Sequence, residues 1–229
     1  HGLASKKATK KLVEKIKEIK PDIIHLHNLH GYYLNIEILF NYLAKTDIPI
    51  VWSLHDCWPM TGHCAHFSFI GCEKWKTQCQ RCPQKRRYPA CHIIDRSYKN
   101  YQLKRRLFTS VRKMTLVPVS NWLADIVKDS FLKDYPQKVI HNGVDTTAFW
   151  PQISGEIREK YKIRDNFVLL GVANVWDQRK GLDDFIRLSK LLKDNEVIIL
   201  VGVKEKTIKT LPQNIIGIKR TEDITELAE

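Results

Sequence analysis

Apolar residues recur along the chain at two spacings, and the switches between them mark out the elements. Ala8, Leu12, Ile16 and Ile19 stand among lysines at the interval of a single helix face, so residues 6–20 are expected to form an amphipathic helix. Ser5 is placed to cap it and Pro21-Asp22 to end it. Ile23-Ile24-His25-Leu26-His27 then suits a buried parallel strand. A helical pattern over 34–44 and a strand over 49–54 follow. After an interruption come a helix over 96–111, a strand over 115–119 and a helix that Ser120 can cap. The alternation starts again with a strand over 167–173, a helix over 182–192, strands over 197–201 and 215–218, and the beginning of another helix. Strand and helix taking turns predict an α/β fold with two Rossmann-like blocks, not an all-helical or all-β one.

Between the blocks lies Val139-Ile-His-Asn-Gly-Val-Asp145, which reads as a hinge. Its apolar start suits a strand, and Asn142-Gly143 is a turn pair able to supply positive φ. Pro151 holds Trp150 extended and stops any helix. The expected division is therefore 1–150 and 151–229, with 57–92 as an insertion in the first block. The chain opens at His1 and closes in a helical pattern at 225–229, so it reads as a fragment with both blocks incomplete.

Composition changes the picture at two places. The chain is 43% hydrophobic, ordinary for a globular core, and no stretch of about 18 apolar residues suggests a membrane span, so the expected compartment is the cytosol. The formal charge of +13 is concentrated: between residues 74 and 113 stand 13 Lys or Arg and a single acid, Asp95. That block suits an anionic partner such as a membrane surface, a nucleic acid or a phosphorylated substrate, or else is only a solvated face.

The insertion also holds all six cysteines. Cys64, Cys72, Cys79 and Cys82 follow C-x7-C-x6-C-x2-C, with Cys57 and Cys91 outside. Four thiolates can close a tetrahedral zinc shell, and a long loop with few apolar residues needs a staple. Structural zinc, free thiols and disulfides all stay open, disulfides being disfavoured by the cytosolic setting.

Position and polarity pick out the candidate chemistry. In an open α/β sheet ligands bind beyond the carboxyl ends of strands, which places His27, His30 and Gly31 after the first strand and His55-Asp56 after the second. The run from Ser53 to Cys64, with two histidines, Asp56 and Trp58, reads as too polar for a core. In the second block, Gly171-Val-Ala-Asn-Val-Trp-Asp-Gln-Arg-Lys-Gly181 follows a strand and opens a helix, where a basic pair and helix amides can meet a diphosphate.

Pro118-Val-Ser-Asn-Trp-Leu and Ile140-His-Asn-Gly-Val-Asp145 resemble the interdomain junction of retaining glycosyltransferases of GT-B architecture, the family of sucrose synthases and bacterial mannosyl- and glucosyltransferases. The resemblance implies two Rossmann-like domains with the active site in the cleft between them. It implies that His55 lies beside the transferred sugar as the catalytic residue, stabilising an oxocarbenium-like transition state. His30, Gly31, Asp56 and Trp58 become acceptor-side candidates. Arg179, Lys180 and Gly181 match the end of the family's phosphate-binding G-R-x-x-x-x-K-G element, whereas Asn174 stands where many members carry its first arginine. The family's glycine-rich loop and paired-glutamate motif are expected outside this piece, which alone is not expected to turn over well.

The implied function is transfer of a hexosyl group, with retention, from a nucleotide-sugar donor to a polysaccharide or lipid-linked acceptor in surface-polysaccharide synthesis. The basic block would then rest on an anionic inner leaflet, with no nucleic acid expected. The alternative is a zinc-ribbon nucleic-acid-binding protein using the basic arm 79–88, but such a protein has no need of His55-Asp56 or of Arg179-Lys180-Gly181.

Overall fold

The computed structural model describes residues 2–91, 94–151, 155–163 and 165–228; His92, at the end of the expected insertion, and residues 152–154, just after Pro151, lie outside them. The chain divides into two compact units, 1–142 and 143–229, the division falling inside the stretch 139–145.

In the first unit α1 (Lys6–Ile19), β1 (Ile24–Leu26), α2 (Ile36–Leu43), β2 (Ile50–Leu54), α3 (Ser97–Phe108), β3 (Met114–Pro118) and α4 (Asn121–Lys128) follow in order. The three strands are parallel and adjacent in sequence order, Ile24 facing Ile50 and Ile50 facing Met114. Each crossover is a helix, as parallel neighbours require. The central strand β2 is almost wholly buried, whereas β1 has His25 exposed because it lies at the edge of this sheet, so the expectation of a buried strand holds only in part. Phe40, Trp52 and Phe108 pack ring on ring at 4.5 to 5.5 Å in the centre of the core.

Two expectations about helix α1 are corrected. Thr9 and Val13 form its buried stripe, with Ile16 beside the core, while Ala8, Leu12 and Ile19 face solvent. The helix is turned because Thr9 docks it: its Oγ accepts from the Asn35 backbone N–H at 2.8 Å. Nor does Ser5 cap α1; its backbone is left-handed and its hydroxyl donates to the Tyr32 carbonyl. Asn35 and Ser120 do cap, their side chains accepting from the N–H groups of Ile38 and Leu123.

Residues 137–140 do not make a strand of their own. They run along β3, with Lys138 and Ile140 donating to the Leu116 and Pro118 carbonyls. Neither Asn142 nor Gly143 has positive φ, and no turn forms at the pair.

The second unit comprises α5 (Glu156–Lys160), β4 (Phe167–Val172), α6 (Leu182–Leu188), β5 (Glu196–Val201), α7 (Glu205–Ile208), β6 (Ile215–Ile218) and α8 (Ile224–Ala228). It too has a parallel sheet in the order β4-β5-β6. Its buried clusters are small, Ile198, Leu200, Val203 and Ile215 on one face and Ile163, Val197 and Ile199 on the other, and Phe167, Leu170 and Val172 of β4 stay exposed.

Candidate active site

The carboxyl ends of β1 and β2 bring seven polar side chains of the first unit together, His25, His27, His30, Ser53, His55, Asp56 and Tyr88. Registering Leu26 against Trp52 puts His27 level with Ser53 and leaves both strands to end in histidine-bearing loops. The Trp52 indole N–H fixes the first loop by donating to the His27 carbonyl at 3.0 Å. On the open side of this edge, His27 Nδ1 and His55 Nε2 lie 3.0 Å apart with their rings stacked at 22°. One ring nitrogen must donate and the other accept, so the tautomers of the two imidazoles are linked and at least one ring is neutral. Behind them His25 Nε2 meets Ser53 Oγ at 2.9 Å. Partial desolvation at the strand, and then repulsion from His27 and His55, push the pKa of His25 below its ordinary value.

Deeper in the same edge His30 is buried between two partners. Its Nε2 is 2.7 Å from Asp56 Oδ2 and its Nδ1 is 3.0 Å from the Tyr88 hydroxyl. Asp56 Oδ1 accepts the Trp58 backbone N–H at 2.8 Å, which holds the carboxylate in line. His55 and Asp56, neighbours in sequence, thus face opposite sides: His55 is exposed, and Asp56 turns inward to hold His30. Gly31 follows His30 in the half-exposed loop.

The run after Asp56 is core, contrary to its polar reading. Residues 57–65 are buried, because their polar atoms find partners inside: Thr61 Oγ1 donates to the Cys64 carbonyl and Lys104 Nζ to the Trp58 and Thr61 carbonyls at 2.7 and 2.9 Å. Trp58, 1% exposed, cannot offer its ring to an acceptor; the ring lies against Phe108 and carries the Lys104 ammonium 3.3 Å from its centroid. Burial drives the pKa of Lys104 well down, opposed by Cys79, Asp56 and Cys64.

Cys64, Cys72, Cys79 and Cys82 line one small pocket, and all six cysteines are unbridged thiols. Cys64 and Cys82 share a hydrogen bond that pushes the first thiol up and pulls the second down. Among the described residues no three His, Cys, Asp or Glu side chains stand ready-placed around an ion position. The insertion is less apolar-poor than its sequence suggests, since Phe67 and Trp75 stack at 4.9 Å and join the core.

At the end of β4 the second unit presents Asn174, Arg179 and Lys180, all exposed, with neither basic group in an ion pair among the described residues. The backbone here is organised: Asp177 Oδ1 accepts the Lys180 N–H at 3.1 Å, and Gly181 takes φ 74°, a turn that favours glycine, before α6. Trp176 anchors the loop by donating to the Val201 carbonyl at 2.9 Å.

The basic block is only partly free. Lys104 is interior, and Lys76, Arg106, Arg112 and Lys113 pair with Asp129, Glu37 and Asp47. No helix among the described residues is long and apolar enough to cross a membrane.

The family model described as Glycosyltransferase Family 4 matches residues 2–148, most of the chain and all of the histidine edge. The chain belongs to glycosyltransferase family 4. Over 133 residues this family-4 chain is 36% identical to the putative colanic acid biosynthesis glycosyl transferase WcaC of Escherichia coli (strain K12), a match covering 55% of the chain and 32% of that relative. Among solved structures it resembles Anabaena HepE in complex with UDP, at TM-score 0.58 and 18% identity over 96% of this chain and 53% of HepE. It also resembles sucrose-phosphate synthase of Thermosynechococcus elongatus, at TM-score 0.59 and 13% identity over 96% of this chain and 51% of the enzyme. At such identities the likeness is one of fold, the two-Rossmann GT-B architecture. The chain spans about a third of the curated relative and about half of each solved one.

Sequence position alone had marked His27, His30, His55 and Asp56. Tyr88 was marked only as the end of the basic arm 79–88 and not as a partner of His30, since it comes from a loop without periodicity. Lys104 carried a signal: with Ser97, Tyr101 and Phe108 it follows the helical spacing of the buried α3 face.

Proposed function

We propose that this family-4 chain supplies the acceptor-side unit, and the start of the donor unit, of an enzyme that transfers a hexosyl group with retention from a nucleotide-sugar to a polysaccharide or lipid-linked acceptor in surface-polysaccharide synthesis. The observation that carries the reading is the linked His27–His55 pair standing open at the carboxyl edge of a parallel sheet. His55 hydrogen-bonds a hydroxyl of the sugar being transferred, and its contact tightens as positive charge develops on the ring. His27 sets the tautomer of His55, while His30, Asp56 and Tyr88 hold the loop beneath. Arg179 and Lys180 meet the diphosphate of the departing nucleotide, with Asn174 and the Gly181 turn shaping the loop around it.

The colanic acid relative supports the polysaccharide setting, and HepE, solved with UDP and with UDP-glucose, supports a uridine nucleotide-sugar as the first donor to try. Contact with an anionic membrane rests only on those basic residues that are left unpaired. The nucleic-acid-binding alternative is set aside, as the cysteine segment carries no ribbon of strands among its described residues. The test is transfer from UDP-glucose by the whole protein, with the anomeric configuration of the product read by NMR. A product of inverted configuration removes retention, and an unimpaired His55→Ala variant removes His55 from the reaction.

A further inference from the structure

Between β2 and α3 the chain runs for some forty residues that carry, among those described, only three single 3-10 turns, Trp58–Met60, Ser68–Ile70 and Lys74–Lys76. A connection of more than about 15 residues without strand or helix needs something other than backbone ladders to hold it. Yet its inner part is packed as tightly as the sheet: at Gly62 a Cβ would lie 2.0 Å from the Ser97 carbonyl oxygen and 2.9 Å from the Cys79 Cβ. The loop is therefore seated closely between the start of α3 and Cys79 at this point.

We propose that Cys64, Cys72, Cys79 and Cys82 bind one zinc ion as a structural tetrathiolate site that staples this segment onto the first unit. Of the six thiols these four line a common pocket, with Trp75 and Lys74, while Cys57 and Cys91 do not. Their order along the chain ends in the C-x2-C pair, the spacing at which a tight turn directs two sulfurs to one metal. Backbone bonds already support that turn: the Cys82 N–H donates to Asp95 Oδ2 at 2.6 Å, and the other oxygen of Asp95 accepts from Ser97 at the start of α3. Cys64 and Cys82 are within hydrogen-bonding reach of each other. Although no three ligands are ready-placed, closing the shell asks the thiols to converge inside one pocket, not to cross the fold.

Charge supplies an independent argument. Four thiols that bind Zn²⁺ give up four protons and leave a centre of net charge −2. A buried anion of that size calls for a buried cation. Lys104 stands beside it, 3% exposed, held by the Trp58 and Thr61 carbonyls that flank the loop and in no ion pair with a carboxylate among the described residues. Besides satisfying those carbonyls and packing on the Trp58 ring, a lysine so placed suits the rim of a thiolate–metal centre. The staple has a consequence for the site above it. Tyr88, six residues past Cys82, leaves the stapled turn to reach His30, so the zinc fixes where the insertion delivers its hydroxyl.

The experiment is elemental analysis of the 229-residue chain purified without added metal or chelator. About one equivalent of zinc is expected, lost in Cys79→Ser and in Cys82→Ser and kept in Cys91→Ser. Should the serine variants fail to fold, the wild-type chain stripped by chelator and reloaded with cobalt gives the same information. Sulfur-to-cobalt charge transfer with tetrahedral ligand-field bands supports the site. Metal-free protein with four freely reactive thiols, disulfides found by mass spectrometry without reduction, iron in place of zinc, or zinc retained by both serine variants would each overturn it.

Discussion

The two units place their candidate groups at the same kind of edge, beyond the carboxyl ends of parallel strands, but prepare them differently. In the first unit the side chains hold one another, His27 with His55 and His30 with both Tyr88 and Asp56, over a core of aromatic rings packed at steep angles. In the second unit the side chains of Arg179 and Lys180 make no ion pair among the described residues, and the backbone is set by Asp177 and the Gly181 turn. Groups that must direct a reacting sugar gain from being fixed beforehand, since reorganisation at the moment of reaction costs rate. Groups that meet a mobile diphosphate can be ordered by the ligand itself, at some loss of affinity.

Substitutions test this contrast on different scales. His55→Ala in the whole protein is expected to lower turnover by about 100-fold or more, the scale of one lost transition-state donor, while nucleoside diphosphate affinity stays within error. A parallel fall in that affinity would show that the open side of the first unit serves donor binding instead. Asp56→Ala should cost the first unit about 1.5–3 kcal/mol of stability by stripping a buried imidazole of a charged partner, read as a fall in urea midpoint. Lys180→Ala should do the opposite, changing stability by less than about 0.5 kcal/mol. It should weaken diphosphate binding by about 1.5–3 kcal/mol in calorimetry, as one charge-assisted contact is lost. Unchanged affinity would leave the second-unit edge with no role in the donor.

How much of this was legible depended on whether the information was local. The strands and the caps at Ser120 could be read because apolar runs and capping chemistry act within a few residues. The rotation of α1 could not, since it is set by a single hydrogen bond between Thr9 and Asn35, 26 residues away. Histidines at strand ends were visible by position, but the division between exposed His55 and inward Asp56 came from the Trp58 N–H that turns the carboxylate. The polar run 57–65 misled because its partners, Lys104 above all, come from α3. Local sequence showed the Asn142-Gly143 pair of the junction without revealing that residues 137–140 would already be tied to β3 and that Gly143 would not take positive φ.

The smallest expected effect separates the units by pH. All nine histidines lie in the first unit, so only its stability should respond near the ordinary imidazole value of about 6.5. His25 has a lowered pKa, from partial desolvation first and then from the neighbouring His27 and His55; His63 is lowered as well, by burial and then by Lys104. A folded pKa below the unfolded one means that the unfolded chain takes up protons first. The stability this represents is therefore fully present above about pH 6.5 and is lost as pH falls through the folded values. Hydrogen exchange resolved by region, followed from about pH 8 to about pH 5 with intrinsic rates corrected, should show protection declining in β1 and β2 while β4 and β5 keep theirs. His25→Gln should flatten part of that decline by removing the group that the edge repels. An equal loss in both units, or a decline untouched by His25→Gln, would show that crowding among these imidazoles does not govern the edge.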